Sequence, residues 1–335
     1  MDTVAPVRAA RPDTSAPAVA VVGSDGFIGR RLSGSLIARG TVVHGYTRQR
    51  GLHQQAATGG PAVIFYLATS VTPALAEQHP ELVTADHARF AALVRMLART
   101  PDPPMVVLTS SAGTVYDPDL PGPYREDLPT RATSRYGAAK LALEQLLLDH
   151  CDSIPTVILR LSNVYGPGQR VDRSQGVLAY WLRAAAAGEP LTLIGDPDTT
   201  RDYVYVDDVV DCMLRLPARL GTTAGTPPVI LNVGSGVSTP LADLLTAVRT
   251  VVGGDLPVRR LPPRPVDRRD VLLDVGRARR LLGWRSRTTL ADGITAMWRA
   301  TPNRRPPPDP GTVTGRTAVP PPRASHDDER QTDAR

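Results

Sequence analysis

Short β-branched apolar runs alternate along the chain with longer stretches whose apolar positions recur at helical spacing. Ala18-Val19-Ala20-Val21-Val22 has no polar position for a solvent face, so it reads as a strand buried on both sides. Residues 41–46, 62–67, 105–109 and 156–161 repeat that signature. Between them, 30–39 has helical spacing and closes on Gly40, 80–99 reads as a longer helix, and 141–148 is rich in strong helix formers. Strands alternating with helices predict an α/β fold built on a doubly wound parallel sheet. Only about fifteen residues separate the second strand from the third, too few for a helix, a strand and a second helix. One edge strand of the usual sheet is therefore expected to be missing or vestigial. Residues 1–17 and the Pro/Arg-rich stretch 301–335 lack periodicity and are expected to be a disordered leader and tail.

Composition narrows the class. At 335 residues, two domains or one domain with a lobe are expected. The net charge of +6 raises nucleic acid as a partner. However, the arginines are scattered and aromatics make up only 4%, so no nucleic-acid surface is expected. A basic cleft for a phosphorylated small molecule fits the charge as well. Cys151 and Cys212 stand too far apart for a disulfide framework or a metal spacing, and no metal is expected. No stretch of eighteen apolar residues or secretory leader is apparent, which predicts a cytoplasmic enzyme with no membrane partner.

Three stretches carry chemistry. Gly23, Gly26 and Gly29 stand between the first strand and its helix, where a glycine turn lets a pyrophosphate approach the backbone and the helix N-terminus. At the end of the second strand the chain reads Thr47-Arg48-Gln49-Arg50, with no acid to hold a ribose diol. Arg48 there suits a 2′-phosphate, so NADP(H) is favoured and NAD is the alternative. The strand at 105–109 ends in Ser110-Ser111, a hydroxyl cluster at a ligand-binding edge. Tyr136 and Lys140 lie four apart on a predicted helix and so share a face. Only one of the 39 Lys plus Arg positions is Lys, and it is Lys140. An ammonium beside a phenol is expected to favour the phenolate and lower its pKa from ~10. Tyr136 is thus the candidate proton donor and acceptor.

These stretches, with others in fixed order, resemble the extended short-chain dehydrogenase/reductases of the nucleotide-sugar epimerase and dehydratase family. The matching pieces are the three glycines, Ser110-Ser111 with Thr114-Val115-Tyr116, Tyr136 with Lys140, and Arg160 with Asn163-Val164-Tyr165-Gly166-Pro167. Further on come Gly195-Asp196, Arg201-Asp202-Tyr203, Asn232-Val233-Gly234, Arg264-Pro265 and Leu282-Gly283-Trp284. The resemblance covers residues 18 to 300. It implies a Rossmann domain, 18–172 with 201–236, and a smaller mixed α/β domain for a nucleoside diphosphate sugar, 173–200 with 237–300. It implies cofactor contacts from Gly23, Gly26, Phe27, Ile28, Gly29, Arg48, Leu67 and Ala68, and substrate contacts from Asn163, Arg201 and Arg264. It also allows a homodimer.

Departures from the family narrow the chemistry. Ala112 stands where the family carries a substrate-facing Ser or Thr, which leaves Ser111 or Thr114 for that role. Dehydrating and decarboxylating members carry carboxylates just after it, whereas this chain has Gly113 and Thr114. Without an acid–base carboxylate, elimination and decarboxylation are disfavoured. The family's Asn on the helix after the third strand of this chain is Asp86 here. The expected activity is NADPH-dependent 4-keto reduction of a dTDP- or UDP-activated deoxysugar. A 4-epimerase that retains NAD is the nearest alternative, and a non-catalytic dinucleotide sensor a distant one.

Overall fold

The structure, a computed structural model, describes residues 18–47, 60–171, 176–220, 225–254, 256–263 and 270–302. The expected leader, nearly all of the expected tail, Arg48 and Arg264 lie outside these residues.

The chain opens with β1 (Val19–Val22), α1 (Phe27–Ala38), β2 (Val43–Tyr46) and β3 (Val63–Tyr66). Then come α2 (Pro73–Gln78), α3 (Pro80–Leu97), β4 (Met105–Ser111), the single turn α4 (Ala112–Val115), α5 (Arg135–Leu148) and β5 (Thr156–Leu161). After β6 (Asn163–Tyr165) follow α6 (Val177–Ala187), β7 (Leu191–Ile194), β8 (Thr200–Tyr205), α7 (Val206–Leu220) and β9 (Val229–Val233). The last elements are β10 (Ser238–Pro240), α8 (Leu241–Val252), β11 (Val258–Leu261), α9 (Gly276–Leu282) and α10 (Leu290–Ala300).

Six strands pair in parallel in the order β2-β1-β3-β4-β5-β9. β1 and β3 are covered on both faces, which is why they are continuously apolar. Val19, Val21, Val63, Phe65 and Val107 join Leu32 and Leu36 of α1 in one core. Their neighbours Ala20, Ile64, Tyr66, Val106 and Leu108 join Phe90 of α3 and Leu147 of α5 in the other. Among the described residues β2 closes one edge of the sheet, in line with the short connection that follows it. From β1 the chain runs outward to β2 and then crosses to β3 on the other side of β1. That reversal opens a crevice at the carboxyl ends of β1 and β3.

The remaining strands form a three-stranded sheet, β10-β8-β6, and a parallel pair, β11-β7. Against them α6, α8 and α10 assemble a separate core around Trp181, Leu182, Leu191, Tyr203, Leu244 and Ile294. Trp181 is buried, and its ring N–H donates to the Thr192 carbonyl at 2.8 Å.

A buried polar network holds α5 to the sheet. Arg160 on β5 pairs with Glu144 on α5 at 2.8 Å, with the two side chains only 5% and 3% exposed. Its guanidinium stacks on the Tyr116 ring, whose hydroxyl donates to Asn232 at 2.6 Å. Asn232 in turn donates to the Tyr124 and Asp274 carbonyls.

Candidate active site

A cleft of about 1380 Å³ runs from the crevice at β1 and β3, past the ends of β4 and β5, to α6, β7 and β8. Its first wall is the turn after β1. Gly23 sits at φ +90°, and a Cβ there would lie 3.0 Å from the Ala68 backbone nitrogen. A Cβ on Gly29 would fall 2.0 Å from the Gly23 carbonyl oxygen. Gly23 therefore lets the turn lie against the segment after β3, and Gly29 lets α1 start close against the turn itself. No side chain caps the α1 N-terminus at Gly26. The first-turn N–H groups have no partner within the helix, and the dipole there favours an anion. Gly23, Gly26, Phe27, Ile28, Gly29, Leu67 and Ala68 all line this end of the cleft, as do Tyr46 and Thr47 from β2. A glycine turn leading into the N–H donors of the α1 N-terminus fits the pyrophosphate of a dinucleotide, and these residues would hold it.

The middle of the cleft holds the expected chemical groups. Ser134 begins α5, its hydroxyl accepting from the Gly137 N–H at 3.1 Å. That cap sets the helix so that Tyr136 and Lys140 both reach the cleft together with Ser111 at the end of β4. Thr114 is not among the lining residues; from α4 its hydroxyl donates to the Ser111 carbonyl at 3.2 Å. Lys140 is buried and donates to the Thr109 carbonyl at 3.2 Å. Its ammonium lies 5.7 Å from the centroid of the Tyr136 ring.

The electrostatics correct one expectation. The Tyr136 phenol is not lowered by Lys140; burial pushes it up to about 12. Burial also brings Lys140 down to about 8, opposed by Asp86 and then Glu144. Both groups have lost water, and desolvation disfavours the phenolate and the ammonium alike. Tyr136 therefore keeps its proton at neutral pH.

At the far end Asn163 and Arg201 line the cleft. The Asn163 amide donates to the Asp202 carbonyl at 3.1 Å, and Arg201 donates to the Thr200 carbonyl at 2.8 Å. Arg170 and Arg183 join them, two cleft arginines that no sequence motif singles out. The structure also explains Asp86, whose carboxylate accepts from the Ser70 N–H and hydroxyl. The contact of Lys140 with the Thr109 carbonyl could not be read from the sequence, because any residue supplies a carbonyl.

Comparison with known proteins bears on this arrangement. The profile of the family described as NAD dependent epimerase/dehydratase matches residues 19–234. A UDP-glucose 4-epimerase of Mycolicibacterium smegmatis is 36% identical over 70% of this chain and 74% of its own. A dTDP-6-deoxy-L-talose 4-dehydrogenase (NAD(P)(+)) of Kitasatospora kifunensis is 30% identical over 86% of this chain and 97% of its own. The crystal structure of Thermus thermophilus UDP-glucose 4-epimerase in complex with NAD superposes with a TM-score of 0.71. It is 26% identical, and the match covers 84% of this chain and 98% of that one.

Proposed function

The chain belongs to the NAD dependent epimerase/dehydratase family, and we propose that within it the protein is an NADPH-dependent 4-ketoreductase of a nucleotide-activated deoxysugar. The observation that carries this reading is the buried Tyr136 phenol on the cleft wall, held protonated by its surroundings. Keto reduction needs a proton on the oxygen as the carbonyl becomes an alcohol, and a phenol that keeps its proton is the donor form. A bound dinucleotide supplies the hydride for the keto carbon. Tyr136 gives its hydroxyl proton to the carbonyl oxygen. Ser111 orients that oxygen, a role that falls to it because Thr114 is turned onto the Ser111 carbonyl. Lys140, as a buried cation, offsets the charge that the phenol acquires on losing its proton. The turn after β4 carries Ala112, Gly113 and Thr114, so no carboxylate stands where elimination or decarboxylation would need one.

Asn163, Arg201 and Arg264 are assigned to the diphosphate and nucleotide of a dTDP- or UDP-sugar, a task suited to guanidinium geometry. The similarity to the Kitasatospora 4-dehydrogenase over nearly its full length supports oxidoreduction at C4. The similarity to the mycobacterial UDP-glucose 4-epimerase favours a second reading, a 4-epimerase that retains NAD.

The test is turnover with NADPH and a dTDP-4-keto-6-deoxysugar. Stoichiometric NADPH oxidation is the expected result. Interconversion of 4-epimers without net cofactor consumption, by protein that copurifies with NAD, would replace the reductase with the epimerase.

A further inference from the structure

The cleft wall behind Tyr136 and Lys140 contains a carboxylate that the proposed reaction does not use. Asp86 lies on α3 with its side chain 16% exposed. One oxygen accepts from the Ser70 N–H at 2.5 Å; the other accepts from the Ser70 hydroxyl at 2.7 Å and the Arg89 guanidinium at 3.0 Å. Ser70 belongs to the cleft-lining segment Leu67-Ala68-Thr69-Ser70 that follows β3. Asp86 thus ties that segment to α3.

The same carboxylate lines a small cavity together with the lysine. Asp86, His87, Thr69, Tyr136 and Lys140 enclose a second cavity of about 20 Å³. A space that small admits nothing larger than about one water, so across it these groups are separated from one another by at most one solvent molecule. The groups around Lys140 come from four elements. They are Asp86 and His87 on α3, Tyr136 and Glu144 on α5, the Thr109 carbonyl on β4, and Tyr66 at the end of β3. Only Asp86 and Glu144 are carboxylates. Glu144 is paired with Arg160, a buried cation. The cation beside Asp86 is Arg89, whose 58% exposed side chain offsets the carboxylate only in part.

We propose that Asp86 is a positioning residue of the active site: through Ser70 it fixes the segment after β3, and its charge holds Lys140 as an ammonium at the working pH. An amide at this position could still accept from the Ser70 N–H through its one oxygen but would supply no charge. The inference rests on Lys140 belonging to the site and not on the choice between reduction and epimerisation.

The test uses the fact that Lys140 is the only lysine of the chain. Protein carrying isotope-labelled lysine gives one side-chain Cε signal, whose shift follows the protonation of Nζ without any substrate. The wild type is expected to titrate near 8. Asp86→Asn, which keeps an acceptor for the Ser70 N–H, should move the midpoint down by roughly half to one pH unit. The high-pH limb of turnover should move with it. Arg89→Ala removes the cation beside Asp86 and should move the midpoint up, which keeps the test open if Asp86→Asn fails to fold. An unchanged lysine midpoint in either folded variant overturns the electrostatic role, whatever happens to activity. Failure of the reductase assay with both midpoints moving as expected would overturn only the reaction assigned above.

Discussion

Tyr136→Phe should abolish turnover while cofactor affinity stays near wild type, because the phenol acts on the transferring proton and not on the dinucleotide. Wild-type turnover in that variant would remove Tyr136 from the chemistry. Lys140→Arg should also fail despite keeping the charge, since a planar guanidinium does not fit where a buried ammonium reaches the Thr109 carbonyl. The lysine has a second consequence, for stability. Its folded pKa of about 8 lies below the ordinary lysine value of 10.5. Between those values the unfolded chain binds more protons than the folded one, so this group's contribution to stability rises with pH across the window. Below 8 the cost of a buried cation is fully present; above 10.5 it is gone. From about 10 upward the raised Tyr136 acts in the opposite sense, because there the folded state holds the extra proton. Denaturant melts of wild type and Lys140→Met should therefore diverge most clearly between pH 8 and 10, with stability rising in the wild type relative to the variant. Parallel curves would contradict the burial of the charge. Much of the residue scale was legible in advance, since a lone lysine four residues after a tyrosine marks a shared helical face. The sign of the Tyr136 shift was not, because spacing reports proximity and says nothing of lost water.

At the scale of elements, the Glu144–Arg160 pair should matter more than any surface ion pair. Glu144→Gln leaves the Arg160 cation buried with only a neutral partner, and such one-sided breaks cost about 3–5 kcal/mol. Replacing both partners by apolar side chains of similar volume should cost much less. Urea titrations of the single and double variants check this, and equal losses in both would show that packing, not charge, is what the pair supplies. The main strands were readable because burial on both faces makes them continuously apolar, and α1, α3 and α5 because their spacing is long enough to stand out. Other elements were not. α2 spans six residues and α4 four, too few for periodicity to register. The single turn of α4 bonds Thr114 to the Ser111 carbonyl, and that contact favours Ser111 for the role that residue types alone left open. Asn232 sits in a family motif, yet its work is to accept from Tyr116 and to join two distant carbonyls, contacts that only the folded chain assembles.

At the scale of the molecule, the cleft joins two chemically distinct ends, a glycine cradle beneath one sheet and an arginine-lined end beside the other. Variants should separate them. Arg201→Ala and Arg264→Ala should weaken binding of the nucleotide sugar, each by about 1.5–3 kcal/mol for a charge-assisted contact, and leave the dinucleotide little affected. Unchanged sugar affinity in both by calorimetry would break the assignment. The cradle end poses the matching question of which dinucleotide it takes. The chain leaves β2 through Tyr46 and Thr47, which line the cleft, and continues into Arg48. A carboxylate at this edge would grip a ribose diol and repel a 2′-phosphate; its absence from the 47–50 sequence removes that repulsion, and a guanidinium adds attraction. NADPH should therefore bind more tightly than NADH, and Arg48→Asp should reverse the order by adding the repulsion back. Dissociation constants for both dinucleotides, measured side by side in wild type and variant, decide it. Equal affinities in the wild type would overturn the NADPH assignment and move the epimerase ahead of the reductase, as would NAD retained through purification, because a cofactor reoxidised within each turnover has no need to leave.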